Sequence, residues 1–274
     1  MSRIYLDKYY TKQTVAKKCL ALIPDFNSYE TIIEPSAGNG VFSKLIKNCI
    51  AYDIEPECES IMKQDFLLLN TIYGNKKLFI GNPPFGERAM LAKKFIQHSI
   101  ALDAETIAFI LPDTFSKFLV QKIFPQNWKL IIEEALGRDN FEINGETYHV
   151  PCSFFVWTKR ETNVNLRKIE LPEPTKIKFL PRFSKEADFT INGNSGKVKE
   201  LSEVTNYKSE HYIKVLYANE KYSIKQQISQ LKYNFKSSVN GGNAWISQQE
   251  ILEAYFNSDI EQIRSINLFN DYDQ

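Results

Sequence analysis

A largely apolar run, Lys77-Leu78-Phe79-Ile80, is followed by Gly81, Asn82 and two consecutive prolines. Proline has no N–H for a sheet ladder, and it pushes the residue before it into an extended conformation. The run therefore predicts a buried strand that leaves its sheet as a stiff, extended turn over Asn82-Pro83-Pro84-Phe85. Such a turn holds an amide, free carbonyl groups and an aromatic ring together at the end of a strand.

These groups are suited to binding an exocyclic amine on a flat ring. The Asn82 side-chain oxygen and the Pro83 carbonyl can each accept one hydrogen of an NH₂ group. Phe85 can lie against the ring face, as aromatic side chains do for bases taken out of a stack. The alternative is a proline-rich structural turn in which Asn82 is only a cap, and short motifs carry that risk.

A second strand and turn precede this one. Residues 31–33 are β-branched, Glu34-Pro35-Ser36-Ala37-Gly38-Asn39-Gly40 forms a glycine turn, and residues 41–46 have helical apolar spacing. A strand, a glycine turn and a helix open a nucleotide-type βα unit, in which the backbone passes close to a ligand. Glu34 favours a positively charged ligand amine over a pyrophosphate. A tight turn of purely structural role is the alternative.

Two further acids follow apolar segments. Asp53 ends the strand-like run Ile50-Ala51-Tyr52, where doubly wound folds place an acid that binds ribose hydroxyls. Its neighbours Glu55 and Glu57 carry the same charge, so a solvated turn is the alternative. Asp65 and Phe66 together could hydrogen-bond and stack an adenine ring, although such a pair is also typical of a loop acid next to a core phenylalanine.

The rest of the first half alternates between the two element types. Residues 89–100 have the spacing of an amphipathic helix, and strands are expected at 106–111, 128–132 and 149–157. This alternation predicts an α/β fold with a mostly parallel sheet. The last two strands are close in sequence, with Asn144-Gly145 as a turn between them, and this predicts an antiparallel hairpin at the sheet edge.

The chain changes character near residue 166, and we expect two domains, 1–165 and 166–274. Residues 165–240 carry 14 Lys and Arg against 8 Asp and Glu, a net charge of +6. Five tyrosines are interleaved with these cations: Tyr207, Tyr212, Tyr217, Tyr222 and Tyr233. Basic residues among aromatics suit a nucleic-acid groove, and a solvated surface is the alternative. Residues 247–250, Ser-Gln-Gln-Glu, predict a capping box that opens a last helix.

Composition excludes several classes of protein. The 274 residues are 43% hydrophobic and 24% charged with a net charge of +1, as in an ordinary globular protein. Four distant cysteines and three histidines have no metal-ligand spacing, so neither a metal nor a disulfide framework is expected. No apolar run approaches the length of a membrane span and no signal core is present. A soluble intracellular protein of the cytoplasm, nucleoid or nucleus is therefore expected.

Taken in order, these motifs resemble those of the S-adenosylmethionine-dependent N6-adenine methyltransferases. The resemblance covers residues 5–160 and is greatest to the gamma group, in which the cofactor motif precedes the catalytic one and target recognition is C-terminal. It implies a Rossmann-like methyltransferase sheet with an antiparallel edge hairpin, followed by a smaller C-terminal α+β region for target recognition.

The resemblance also implies roles for individual residues. The catalytic set would be Asn82, Pro83, Pro84 and Phe85. The residues that bind S-adenosyl-L-methionine would be Tyr10, Thr11, Glu34, Ser36, Gly38, Gly40, Asp53, Asp65 and Phe66. A second aromatic would sandwich the target ring, and Tyr148 is the candidate for it.

The acceptor implied by the resemblance is adenine in DNA. RNA is an alternative acceptor, because RNA adenine methyltransferases also carry phenylalanine at the fourth position of the motif. A third reading is a non-catalytic subunit that binds nucleic acid or a sister enzyme. Intact cofactor and catalytic motifs argue against that reading, although a partner subunit of an active enzyme remains an alternative.

Overall fold

The computed structural model describes residues 9–143, 146–148, 150–205, 207–233 and 245–258. The chain forms two compact units, and the division between them falls after Lys168. Each unit has its own apolar core. None of the helices in the described ranges has both the length and the apolar character needed to cross a membrane.

Ten strands lie in the described residues of the first unit. In chain order they are β1 Tyr10–Thr11, β2 Thr31–Glu34, β3 Ile50–Asp53, β4 Met62–Lys63, β5 Lys77–Gly81, β6 Thr106–Pro112, β7 Lys129–Ala135, β8 Phe141–Ile143, β9 Glu146–Tyr148 and β10 Cys152–Thr158. Seven of them form one sheet in the order β4-β3-β2-β5-β6-β10-β7. Every residue of β5, β6 and β10 is buried, because these central strands are covered on both faces.

The sheet is mostly parallel, which confirms the predicted α/β class. Strands β2, β3, β4, β5 and β6 pair in parallel, whereas β10 is antiparallel to both of its neighbours, β6 and β7. The predicted antiparallel pair at the edge is therefore β10 with β7.

The connection between those two strands differs from the prediction. Between them lie β8 and β9, which pair with each other and, through β8, with β1 in a separate three-stranded sheet. Asn144 and Gly145 lie outside the described residues, but they fall between β8 and β9. They therefore cannot form a turn that joins β7 directly to β10.

Helix is sparse in this unit. The α-helices among its described residues are α1 Gln13–Leu22, α2 Met90–Ala101 and the short α3 Phe118–Gln121. The helix predicted at 41–46 is wrong, because the structure has only a 3-10 turn at Ser43–Leu45. Nine residues separate the glycine turn from β3, too few for a helix and a return to the sheet. The Glu34 carboxylate also accepts the Ser43 N–H, which holds this turn against the end of β2.

The second unit is a small α+β region, as predicted. Four antiparallel strands, β11 Ile177–Leu180, β12 Phe189–Asn192, β13 Val198–Lys199 and β14 Glu210–Val215, form a sheet in the order β11-β14-β12-β13. Helix α4 spans Lys221–Ser229, and residues 248–258 form a further helix. The predicted capping box is present at its start, where the Ser247 N–H donates to Glu250 at 2.7 Å and the Glu250 N–H donates to Ser247 Oγ at 3.3 Å.

Candidate active site

A cavity of about 340 Å³ lies where β2, β3 and β5 end. The chain continues from β2 to β3 on one side and later places β5 on the other side of β2. The cavity therefore lies at a topological switch point, outside the carboxyl ends of the strands. In open α/β sheets this crevice is where ligands bind.

The cavity collects most of the residues predicted for cofactor binding. Those that line it are Tyr10, Thr11, Glu34, Ser36, Gly38, Asp53, Asp65 and Phe66. Gly40 does not line the cavity. Its φ of 77° favours glycine, and an added Cβ would lie close to the side chains of Ser43 and Ile61. Asn82 and Pro84 of the proline turn also line this cavity, so the two predicted motifs meet in one place.

A hydrogen bond from a backbone N–H group ties the glycine turn to the end of β3. Gly38 has a φ of 53°, and its N–H donates to Asp53 Oδ2 at 2.7 Å. A Cβ at position 38 would lie 3.4 Å from the Tyr10 ring. Gly38 thus provides the left-handed conformation that the turn adopts next to the Tyr10 ring.

Glu34 is buried at the end of β2. Its Oε2 accepts the Ser43 N–H at 2.8 Å. Burial raises the pKa of this carboxyl from 4.5 to about 7; hydrogen bonds from Ser43 and Phe42 oppose the rise, and the nearby charge of Asp53 adds to it. A buried carboxyl of this kind is stabilised in its ionised form when a cation binds beside it.

Several further acidic groups line the cavity. The Asp53 oxygens accept N–H groups from Gly38 and from Glu55, the latter at 2.8 Å. The Tyr10 hydroxyl donates to Glu57, and burial together with this bond raises the pKa of Tyr10 to about 12. Sequence reasoning treated Glu57 only as a charged neighbour of Asp53, since nothing in its spacing showed that the fold would bring it to Tyr10.

Asp65 and Phe66 also line the large cavity. Asp65 Oδ1 accepts the Leu67 N–H at 2.9 Å and caps a short 3-10 turn. Phe66 is buried and stacks on Phe95, with ring centroids 5.3 Å apart and planes 24° from parallel. Phe66 borders the cavity while serving as a core residue, so Phe95 already covers one face of its ring.

The proline turn presents Asn82 between two cavities. Its Nδ2 donates to the Tyr9 carbonyl at 3.3 Å, whereas its Oδ1 is buried and has no hydrogen-bond partner. The Ser36 hydroxyl donates to the Asn82 backbone carbonyl at 3.4 Å, which ties the glycine turn to the proline turn. A buried acceptor without a partner is unusual in a native fold and calls for an explanation.

A second, smaller cavity adjoins the first through shared lining residues. Its lining consists of Tyr9, Asn82, Pro83, Pro84, Phe85, Phe141 and Val150, and Tyr9, Asn82 and Pro84 also line the large cavity. Sequence reasoning missed Tyr9 and Phe141, which reach Asn82 only because β1 pairs with β8. The side chain of Tyr148 lies outside the described residues, although its backbone ends β9.

The second unit carries fewer unpaired cations than its composition predicts. Five of its lysines form ion pairs with acids of the same unit: Lys176 with Glu220, Lys199 with Glu210, Lys214 and Lys221 with Asp188, and Lys225 with Glu200. Tyr212 is buried, whereas Tyr217 and Tyr222 are exposed. Of the interleaved tyrosines whose side chains are described, these two present most ring surface to solvent.

In comparisons with known proteins, no family model and no curated protein match the chain. Among solved structures it is similar to "a putative RNA methyltransferase PH1948 from Pyrococcus horikoshii", with a TM-score of 0.45 and 14% identity over 58% of this chain and 89% of that one. The fold and site define a doubly wound α/β protein with an acid-lined crevice at its switch point.

Proposed function

We propose that this protein is an S-adenosylmethionine-dependent methyltransferase that modifies the N6 amine of adenine, with DNA as the acceptor. One observation carries the proposal: the buried, unpartnered Oδ1 of Asn82 at the border of the two cavities. An acceptor of this kind is satisfied when an amine is delivered to it. A ligand in the large cavity would lie beside the same residue.

The large cavity fits the proposed cofactor in size and in charge. Its volume falls within the range of small-molecule sites. S-adenosylmethionine, when bound, supplies an electrophilic methyl group on a positively charged sulfur. Glu34 and the carboxylates of Asp53 and Glu57 favour a cationic ligand with hydroxyl groups, while Tyr10, Thr11 and Ser36 offer further polar contacts. Asp65 and Phe66 border the part of the cavity suited to the adenine ring.

The proline turn would activate the acceptor. The lone pair of the adenine N6 is delocalised into the ring, so the amine is a poor nucleophile. Two acceptors, Asn82 Oδ1 and the Pro83 carbonyl, would hold its hydrogens and favour a pyramidal nitrogen whose lone pair can attack. The Tyr9 carbonyl keeps the Asn82 amide turned with its oxygen available. The N–C bond would form as the bond between the methyl carbon and the sulfur breaks, and the methylated, positively charged amine would then release one proton to water. Catalysis thus comes from positioning and electrostatics, with no side-chain base required.

A base inside a duplex cannot reach this turn, because Asn82 and Pro83 are largely enclosed. The adenine would therefore be flipped out of the stack or taken from a single strand, at a cost of about a few kcal/mol of stacking in a duplex. The exposed Tyr217 and Tyr222 of the second unit are candidates for contacts with nucleic acid.

The test is methyl transfer from labelled S-adenosylmethionine to adenine-containing DNA and RNA, side by side, with the product base identified by mass. N6-methyladenine in DNA is the expected result. Methylation of RNA alone would keep the chemistry and change the acceptor. No transfer to either, by protein that binds the cofactor, would reject the proposed acceptors or require a partner subunit.

A further inference from the structure

The ionisable side chains that line the large cavity all carry carboxyl or phenol groups. No lysine, arginine or histidine is found among the described residues that line it. Its five carboxyl groups belong to Glu34, Asp53, Glu55, Glu57 and Asp65. A cleft lined by one sign of charge attracts ligands of the opposite sign, and low-dielectric walls strengthen that field.

Three of these acids have no ion-pair partner among the residues that the structure describes. They are Asp53, Glu57 and Asp65. The donors that reach their carboxylates are uncharged: backbone N–H groups for Asp53 and Asp65, and the Tyr10 hydroxyl for Glu57. No cation of the described chain therefore offsets their field before a ligand binds.

Thr11 adds an unpartnered polar group to the same cavity. It is 5% exposed, and its Oγ1 is buried without a hydrogen-bond partner among the described residues. Like Asn82 Oδ1, it is a group that a bound ligand would satisfy. The cavity thus combines a negative field with polar atoms that the fold itself leaves unpaired.

Glu57 is held at the wall of this cavity by two hydrogen bonds. Its N–H donates to the Gly38 carbonyl at 3.1 Å, which fixes its backbone against the glycine turn. Its carboxylate accepts the hydroxyl of Tyr10, which lines the same cavity. Because the pKa of Tyr10 is raised to about 12, this hydroxyl keeps its proton at neutral pH and remains a donor. The side chain of Glu57 is therefore kept beside the ligand position, although the residue is exposed.

The cofactor and the product of methyl transfer differ in charge. S-adenosylmethionine carries an ammonium, a carboxylate and a sulfonium group, so its net charge is positive. S-adenosylhomocysteine has lost the sulfonium charge together with the methyl group and is neutral overall. A negative cavity wall therefore interacts more favourably with the cofactor than with the product.

We propose that Glu57 is a specificity-determining residue of the large cavity: its carboxylate, held by the Tyr10 hydroxyl, makes the site prefer the sulfonium cofactor to the neutral product. The attraction to the sulfonium ends when the methyl group leaves, so the same residue favours replacement of the product by fresh cofactor. The identity of these two ligands rests on the proposed function.

The test is the ratio of the Kd of S-adenosylhomocysteine to that of S-adenosylmethionine, by calorimetry at low and high salt without an acceptor. We expect a ratio of about ten for the wild type at low salt, falling as salt screens the carboxylates. Glu57→Gln keeps an acceptor for the Tyr10 hydroxyl but removes the charge, so the ratio should fall about threefold. The matched control is Glu59→Gln, which removes the same charge from an exposed residue that does not line the cavity and should keep the wild-type ratio.

A second variant and a third ligand separate charge from other effects. Tyr10→Phe removes the donor that holds Glu57, so the ratio should fall about threefold, and no further in the double variant, because the two groups act through one contact. Sinefungin, in which a protonated amine replaces the methylsulfonium, should depend on Glu57 as S-adenosylmethionine does. That result would assign the preference to charge and not to the methyl group.

Equal affinities of the wild type for cofactor and product would overturn the inference. So would an equal fall of both affinities in Glu57→Gln, which would make Glu57 a structural residue only. Methyl transfer is measured separately: a preference that depends on Glu57, without transfer to DNA or RNA, would support the inference and reject the proposed acceptors. Transfer by a wild type without this preference would reject only the role of Glu57, and binding of neither ligand would reject both proposals.

Discussion

At the scale of single residues, the site depends on two buried polar groups that the fold leaves ready for a ligand. Asn82 has its amide nitrogen bonded and its oxygen unpartnered. Glu34 is buried, and one of its oxygens accepts the Ser43 N–H. An unpaired acceptor such as Asn82 Oδ1 reduces the stability of a ligand-free fold, because burial without a hydrogen bond carries a free-energy penalty.

Replacing Asn82 tests the catalytic assignment. Asn82→Ala removes the acceptor for the amine, and we expect the rate of methyl transfer to fall at least about 100-fold, the usual effect of deleting one preorganised polar group. The cofactor affinity measured by calorimetry should change little, because Glu34, Asp53 and Tyr10 remain. The matched control is Asn27→Ala, at an exposed position outside the cavity, which should keep wild-type activity. Normal turnover of Asn82→Ala would contradict the mechanism.

The raised pKa of Glu34 predicts how stability and ligand binding depend on pH. Burial raises its pKa from 4.5 to about 7, so between these values the folded protein holds a proton that the unfolded chain has lost. The contribution of Glu34 to stability therefore falls as pH rises through this window. A cationic ligand favours the ionised carboxyl, so its binding releases a proton below about pH 7 and tightens as pH rises toward that value.

The measurement for Glu34 is the Kd of S-adenosylmethionine as a function of pH, by calorimetry. We expect the affinity of the wild type to fall by up to about tenfold per pH unit below about pH 7, the limit for one linked proton. Glu34→Gln keeps an acceptor for the Ser43 N–H but cannot ionise, so it should bind more weakly near neutral pH and lose this dependence. An identical slope in both proteins would show that another group is responsible.

At the scale of elements, the glycine turn between β2 and β3 determines the shape of the large cavity. Gly38 adopts a left-handed conformation next to Tyr10, and its N–H binds Asp53. The turn leads into a 3-10 turn instead of a helix. The cavity is thus bordered by a compact loop in which two glycines, Gly38 and Gly40, have a positive φ.

Gly38→Ala tests that dependence. Alanine at a φ of 53° would be strained, so we expect a loss of about 1–2 kcal/mol in the free energy of unfolding and a weaker cofactor affinity. Gly137→Ala is the matched control, because no atom lies within 4 Å of the added carbon. Chemical denaturation should separate the two variants, and equal stability would show that the turn tolerates a side chain.

At the scale of the whole molecule, the chain combines two units with separate cores. The first contains the seven-stranded sheet and both cavities, and the second contains an antiparallel sheet with its own helices. Near the end of the first unit, the Arg167 guanidinium donates to the carbonyls of Phe124 at 2.8 Å and Trp128 at 3.1 Å. Residues 166–168 therefore complete the first unit.

A fragment of residues 1–168 tests whether the first unit binds the cofactor and the second unit binds nucleic acid. Because the cavity residues and their core lie within it, we expect cooperative thermal unfolding and a cofactor Kd close to that of the whole chain. Binding to DNA or RNA should be lost or weakened at least about tenfold if the second unit supplies those contacts. Full retention of nucleic-acid binding by the fragment would assign recognition to the first unit.

Local sequence determined much of the sheet. Apolar runs ended by prolines or acids place β5, β6 and β3 correctly, because strand formation and its interruption depend on neighbouring residues. The same runs place Glu34, Asp53 and Asn82 at strand ends, and parallel pairing then brings those ends to one edge. The prediction that these three residues share one site came from the resemblance of the ordered motifs to a methyltransferase family.

Tertiary structure decided what surrounds them. The approach of Glu57 to Tyr10 depends on contacts between segments far apart in sequence, and so does the three-stranded sheet in which β8 and β9 join β1. Tyr9 reaches Asn82 across 73 positions through the pairing of β1 with β8, and no local pattern encodes that distance. The sequence by itself thus determined which chemical groups stand at the strand ends. Only the packing of distant segments decided that the Asn82 side-chain oxygen lacks a partner among the described residues and that Glu57 meets Tyr10.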